Sequence, residues 1–192
     1  MNKFLILLLS IAVLATSCQD DDGPTTTDDV LKYDGDNNDA PFFDDGTYEA
    51  AVRFTASDIA PFEGRVLEEI EVYISESIPD ETFIKVYKGG SNNTPGDLIY
   101  ERDITSNVAA NFWASHVIDE TITLENDEYW FAIQVKHSSL IRSFGCDAGP
   151  ADSNGQWLWT SADNSWITFN ERNNNGAGFN VNWNIRGHLN PE

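Results

Sequence analysis

Tryptophan at short spacing is the feature of this chain with the clearest chemical use. Trp157 and Trp159 stand at i and i+2, on one face of any strand that holds them, and Trp166 follows beyond a Ser-Ala-Asp-Asn-Ser segment. Sugar rings lay their C–H faces on indole, and a few neighbouring polar groups then fix the hydroxyls. An extracellular glycan therefore suits such a platform. A large sandwich core suits the same residues, because tryptophan is mostly well buried. Asp147, with Asp152 and Asn154, adds side-chain oxygens of the kind that meet a ligand or calcium.

Other chemistry is less well provided for. His116, His137 and His188 lie far apart, and no His-Glu-x-x-His zinc pattern, Gly-x-Ser-x-Gly elbow or phosphate-cradling glycine loop occurs. Cys146 with a distant histidine would make a thiol nucleophile, against which stands a lone, half-buried thiol. Residues 34–39 and Asp45 carry oxygens at the alternate positions of a calcium loop, yet Asp39 stands where that loop needs glycine. A structural calcium is thus weighed against a solvated acidic stretch, and no other cofactor is expected. The reading is non-enzymatic. Its rivals are a polysaccharide hydrolase using two of the many carboxylates and a structural partner in an envelope surface complex.

Charge narrows the partners. Acidic residues outnumber basic ones 32 to 11, for a net charge of −21, which excludes a basic nucleic-acid face.

The first residues speak to location. Lys3 precedes an apolar run at residues 4–15, shorter than the roughly 20 residues that span a bilayer, as in a secretory signal. Ala15-Thr16-Ser17-Cys18 resembles the lipobox of bacterial lipoproteins, which implies that Cys18 is acylated with palmitate-type chains and becomes the N-terminus. Cys146 is the other cysteine, so lipidation of Cys18 leaves it unpaired; a Cys18–Cys146 bridge is the alternative. Gln19-Asp20-Asp21-Asp22 resembles the acidic export signal of Bacteroidota-type surface lipoproteins, implying the outer face of the outer membrane.

These features must be carried by a suitable frame. Residues 1–17 read as the signal peptide, 18–43 as an acidic flexible tether too polar to bury itself, and 44–192 as a single domain. Within it, short segments alternate with period two. Ile70, Val72 and Ile74 share a face, as do Ile84 and Val86. Tyr129, Phe131, Ile133 and Val135 oppose Trp130, Ala132, Gln134 and Lys136. Phe179, Val181, Trp183 and Ile185 oppose Asn180, Asn182, Asn184 and Arg186, the asparagines forming a solvated strand face or a polar floor. Thr94-Pro95-Gly96-Asp97 has the residues of a type II turn. With no sustained helical period, the expectation is an all-β antiparallel sandwich, jelly-roll-like.

Four stretches in this order carry a further resemblance: residues 82–102, residues 125–133, Gly145-Cys146-Asp147-Ala148-Gly149-Pro150-Ala151 and Trp183-Asn184-Ile185-Arg186-Gly187. Together they resemble the β-sandwich accessory modules of secreted Bacteroidota cysteine peptidases and adhesin-like proteins. That resemblance implies a non-catalytic binding or adhesive module. No peptidase domain is expected within these 192 residues.

Overall fold

Side-chain alternation along each strand sorts residues between a shared interior and two outer faces, and the architecture follows from it. The computed structural model describes residues 29–91, 93–173 and 180–191. In chain order these form β1 (Val30–Leu31), β2 (Gly46–Phe54), the helical turn α1 (Ala56–Ile59), β3 (Val66–Ile74), β4 (Glu81–Ser91) and β5 (Thr94–Asp103). There follow β6 (Phe112–Thr123), β7 (Tyr129–His137), β8 (Trp157–Thr160), β9 (Ser165–Thr168), the helical turn α2 (Phe169–Arg172) and β10 (Ile185–Leu189). A four-stranded sheet runs β1-β10-β3-β6 and a six-stranded sheet β5-β4-β7-β2-β8-β9. The paired strands in both are antiparallel. The fold is an all-β sandwich.

The core is what the period-two reading of 69–74, 82–88 and 129–136 requires. Ile70, Val72 and Ile74 of β3 meet Ile84 and Val86 of β4, Ala50, Val52 and Phe54 of β2, and Tyr129, Phe131, Ile133 and Val135 of β7. Trp183 closes one side, edge-on to Phe144 at 5.1 Å and against Phe169 at 4.8 Å, while its indole N–H donates to the Trp157 carbonyl at 2.8 Å. A buried indole is thereby both packed and hydrogen-bonded.

His137 is buried at the end of β7, its Nε2 2.8 Å from the Ser143 hydroxyl, and burial holds its pKa below the ordinary imidazole value. Below the ordinary value of about 6.5 the unfolded chain takes up a proton that the folded chain refuses. Stability from this site is therefore full above that pH and falls as pH drops towards the depressed folded value. The thermal midpoint should be level between pH 8 and 7 and decline from about pH 6.5. His137→Gln should flatten that decline in a calorimetric pH series, and an unchanged slope would assign it elsewhere.

Three expectations are corrected. The tether does not run to residue 43. Leu31, Tyr33, Ala40 and Phe43 are buried, β1 adds to the edge of β10, and Asp34 is sealed beneath Arg186. Composition made this stretch look solvated, but its few apolar residues are spaced to reach the core. Residues 94–97 are strand, not turn. The β4–β5 ladder closes at Ser91↔Thr94, and Gly96 is required because a Cβ there would meet the Lys88 carbonyl across the ladder. The asparagine row is not one solvated face or floor: Asn180 is exposed, its Oδ1 accepting from the Ala151 N–H, but the other two are not. Asn182 (2% exposed) and Asn184 (1%) are buried, donating to the carboxylates of Asp147 and Asp34. Phe179 lies outside the described residues, as do Cys18 and the signal segment.

Candidate functional site

Register places the tryptophans before any contact is considered. Trp157 pairs with Ala51 and Thr168, and Trp159 pairs with Glu49 and Trp166. Ala51 pairs in turn with Ala132, and Arg53 with Trp130, which pairs with Tyr87. Paired residues share a sheet face. Trp157, Trp159 and Trp166 therefore stand together, joined by Trp130 and Tyr87, on the outer side of the six-stranded sheet.

Small residues at the centre let the rings lie down. Over Ala51 and Ala132 pack Trp130 and Trp157, with Tyr87 and Trp166 against them. Trp130 meets Trp157 at 5.2 Å and Trp166 at 5.8 Å, both within the usual range for aromatic pairs. This second cluster explains why Trp130 is 0% and Trp157 only 6% exposed although neither faces the sandwich interior. Trp159 and Trp166, at the β8–β9 end, remain partly exposed. The predicted platform thus divides into an underlay, Trp130 and Trp157, and a ledge, Trp159 and Trp166.

Polar groups frame this aromatic patch. On one side, the Trp130 indole donates to Glu128 at 2.7 Å, Arg53 pairs with the same carboxylate at 2.6 Å and donates to Asn154 at 3.2 Å. Next to the ledge, the Glu49 carboxylate (4% exposed) accepts from the Tyr87 hydroxyl at 2.6 Å and from Lys85 at 2.9 Å. Burial and the adjoining Glu49 push the Tyr87 hydroxyl far above its ordinary pKa, so it stays a donor. Lys85 also reaches Gln134 Oε1 at 2.7 Å and Glu101 at 3.5 Å. The Trp157 indole N–H is buried without an acceptor among the described residues, a donor left over on this face.

Asp147 does not join the tryptophans. Its carboxylate accepts from the backbone N–H groups of Gly35, Gly149 and Asn182 and from the Asn182 side chain, all within 3.1 Å. It is a structural bracket that holds three separate chain segments, not a ligand-facing group. Gly149 beside it adopts φ +76°, a backbone conformation that favours glycine. Asp34 accepts from Arg186 and Asn184, so the residues 34–45 do not form a calcium loop. Among the described residues no three His, Cys, Asp or Glu side chains converge on a metal site. Cys146 is buried, its thiol pushed up to about 12 by burial and donating to the Asp39 carbonyl, which makes it a poor nucleophile.

The sequence reading missed Glu49, Lys85, Tyr87 and the central place of Trp130. Alternation had set Trp130 and Gln134 on one face of their strand, but only cross-strand register shows them beside Trp157 and Trp159. A concavity of about 570 Å³ opens where β3 and β6 part; its lining of Val66, Leu67, Glu69, Val117, Asp119 and His188 has carboxylates and aliphatic groups but no indole. Trp113 lies on the outer side of the four-stranded sheet with the Arg186 guanidinium 4.0 Å over its ring, a cation–π contact that occupies one face.

The fold has a known counterpart. This chain is similar to the structure of the cysteine protease and lectin-like domains of Cwp84, a surface-layer-associated protein of Clostridium difficile, with TM-score 0.55. Identity is 8%, over 82% of this chain and 37% of that one, so the likeness is one of fold and this chain spans little more than a third of that protein structure. No protein-family model matches the chain, and no curated protein does.

Proposed function

We propose that this protein is a lipid-anchored, surface-displayed β-sandwich that binds an extracellular glycan without chemistry, through the outer face of its six-stranded sheet. One observation carries the reading: Trp159 and Trp166 are register partners on the outer face, both partly exposed, and Trp166 packs against an underlay of Trp130 and Trp157. Rigid aromatic surface with polar groups beside it is what a sugar-binding platform needs. The non-catalytic part is supported by Glu49, the carboxylate nearest the ledge, whose two oxygens are each held by a donor. Surface display is supported by the Lys3-to-Cys18 leader and by the fold's occurrence in a surface-layer-associated protein with a lectin-like domain.

Affinity electrophoresis through gels containing laminarin, mannan or xylan tests the reading. The wild type should be retarded in at least one, and Trp159→Ala should run as in the gel without polymer. Equal mobility of both proteins in every gel would refute it.

A further inference from the structure

The polar surroundings of the ledge carry more than a place for a sugar ring. We infer that the glycan taken here is uncharged, that Gln134 is the side chain that meets its hydroxyls, and that polymers bearing uronate or sulfate are refused. The inference rests on the glycan reading above and adds the class of ligand to it.

Orientation of the Gln134 amide comes first. Lys85 has only N–H groups to give, so the Gln134 atom 2.7 Å from its Nζ is the carbonyl oxygen. The amide nitrogen therefore points away from Lys85. It has no acceptor among the described residues, and Gln134 is partly exposed. Lys85 is itself fixed by Glu49 and Glu101, so it acts as a positioning residue that holds the amide in one of its two flips.

Spacing comes second. Trp159, Glu49 and Gln134 sit side by side on three adjacent strands, β8, β2 and β7. Two strand separations amount to about 10 Å, enough for one pyranose ring between an indole wall and an amide donor. Glu49 lies between them, 4% exposed and covered by the Lys85 and Tyr87 groups from which it accepts.

Charge comes third. An anionic sugar needs a cation with hydrogen bonds to spare, as arginine and lysine provide to carboxylates and sulfates. The cations of this face are already engaged: Lys85 with Glu49 and Glu101, Arg53 with Glu128, and Lys136 with Glu81. Each such pair keeps a carboxylate beside its cation, so none of these cations carries an uncompensated charge. In a chain of net charge −21, an arriving uronate or sulfate meets repulsion with nothing to offset it. Neutral hydroxyls, which both give and accept, meet no such barrier.

Tryptophan fluorescence titration decides the matter with defined probes. The neutral set is laminarihexaose, cellohexaose, mannohexaose and N-acetylchitohexaose; the anionic set is hexamannuronate, a hyaluronan hexamer and a heparin hexamer. At least one neutral oligomer should saturate the signal, with an affinity unchanged between about 0.05 and 0.5 M salt, where screening differs severalfold. The anionic set should bind at least about 30-fold more weakly. Gln134→Met, close in size and without the donor, should weaken the neutral ligand about tenfold while lowering the thermal midpoint by only a few degrees, since Lys85 loses one acceptor but keeps Glu49 and Glu101. An anionic oligomer binding as tightly as any neutral one, and lost in Trp159→Ala, would overturn the inference and leave the glycan reading standing. Neutral binding indifferent to Gln134→Met would overturn the role of that residue. Binding of no oligomer by the wild type would overturn the glycan reading itself.

Discussion

Asp147→Ala is expected to cost about 4 kcal/mol of stability and to lower the thermal midpoint by about 10 °C. The carboxylate is 4% exposed and accepts from Gly35, Gly149, the Asn182 backbone and the Asn182 side chain. Truncation strands the two buried Asn182 donors and removes the acceptor of Gly149 and Gly35, which lie nearer the surface. Each stranded donor costs roughly 1–3 kcal/mol, and the total falls below their sum because the loop relaxes. The damage should spread, since one carboxylate ties the segment after β1, the loop before β8 and the approach to β10. Denaturant unfolding followed by tryptophan fluorescence measures it. A variant as stable as the wild type would mean that these hydrogen bonds are not formed in solution. Any ligand that Asp147→Ala still binds below its midpoint should bind with wild-type affinity, which separates this residue from the ledge.

Trp159→Ala should show the opposite pattern. Trp159 is partly exposed and lies outside the buried cluster of Trp130 and Trp157, so truncation should cost only about 1 kcal/mol of stability, as for other half-buried positions away from the core. Binding should fall by about 30-fold or more, because a large rigid ring at the centre of a small contact carries much of its energy. Trp157→Ala should lose both, since that ring is 6% exposed and supports Trp166 from below through Trp130. Isothermal titration with whichever neutral oligosaccharide binds, run beside calorimetric unfolding, distinguishes the two. Equal loss of stability in Trp157→Ala and Trp159→Ala, with binding intact in whatever remains folded, would assign all the tryptophans to packing alone.

How far the residues themselves disclosed this arrangement differs from segment to segment. The strict alternation at 129–136 was enough to place Phe131 inward and Gln134 outward, because one face of β7 is core and period two leaves no other solution. Alternation also put Trp157 and Trp159 together. It did not show that Trp157 would be covered and Trp159 left open, since that depends on Ala51 and Ala132, contributed by strands far away in sequence. Asn182 and Asn184 look solvated because amides are usually so. Their burial follows from Asp147 and Asp34, one about 35 residues away and one 150. The stretch before β2 misled for a related reason: a window average sees its acidic residues, while Leu31, Tyr33 and Phe43 act one at a time through contacts with β10 and the core. Cross-strand register was the missing quantity in each case, and it is set by the whole sheet.

The central claim is that the β8–β9 end of the outer face meets a sugar. The most direct measurement is the set of indole N–H signals in a ¹⁵N-labelled sample titrated with a bound neutral oligosaccharide, assigned through single Trp→Phe variants. The account predicts that Trp159 and Trp166 shift most, that Trp157 gains the signature of a new acceptor or moves with them, and that Trp183 and Trp113 stay in place. Shifts confined to Trp113, or a saturable ligand that leaves Trp159 and Trp166 unmoved, would contradict it.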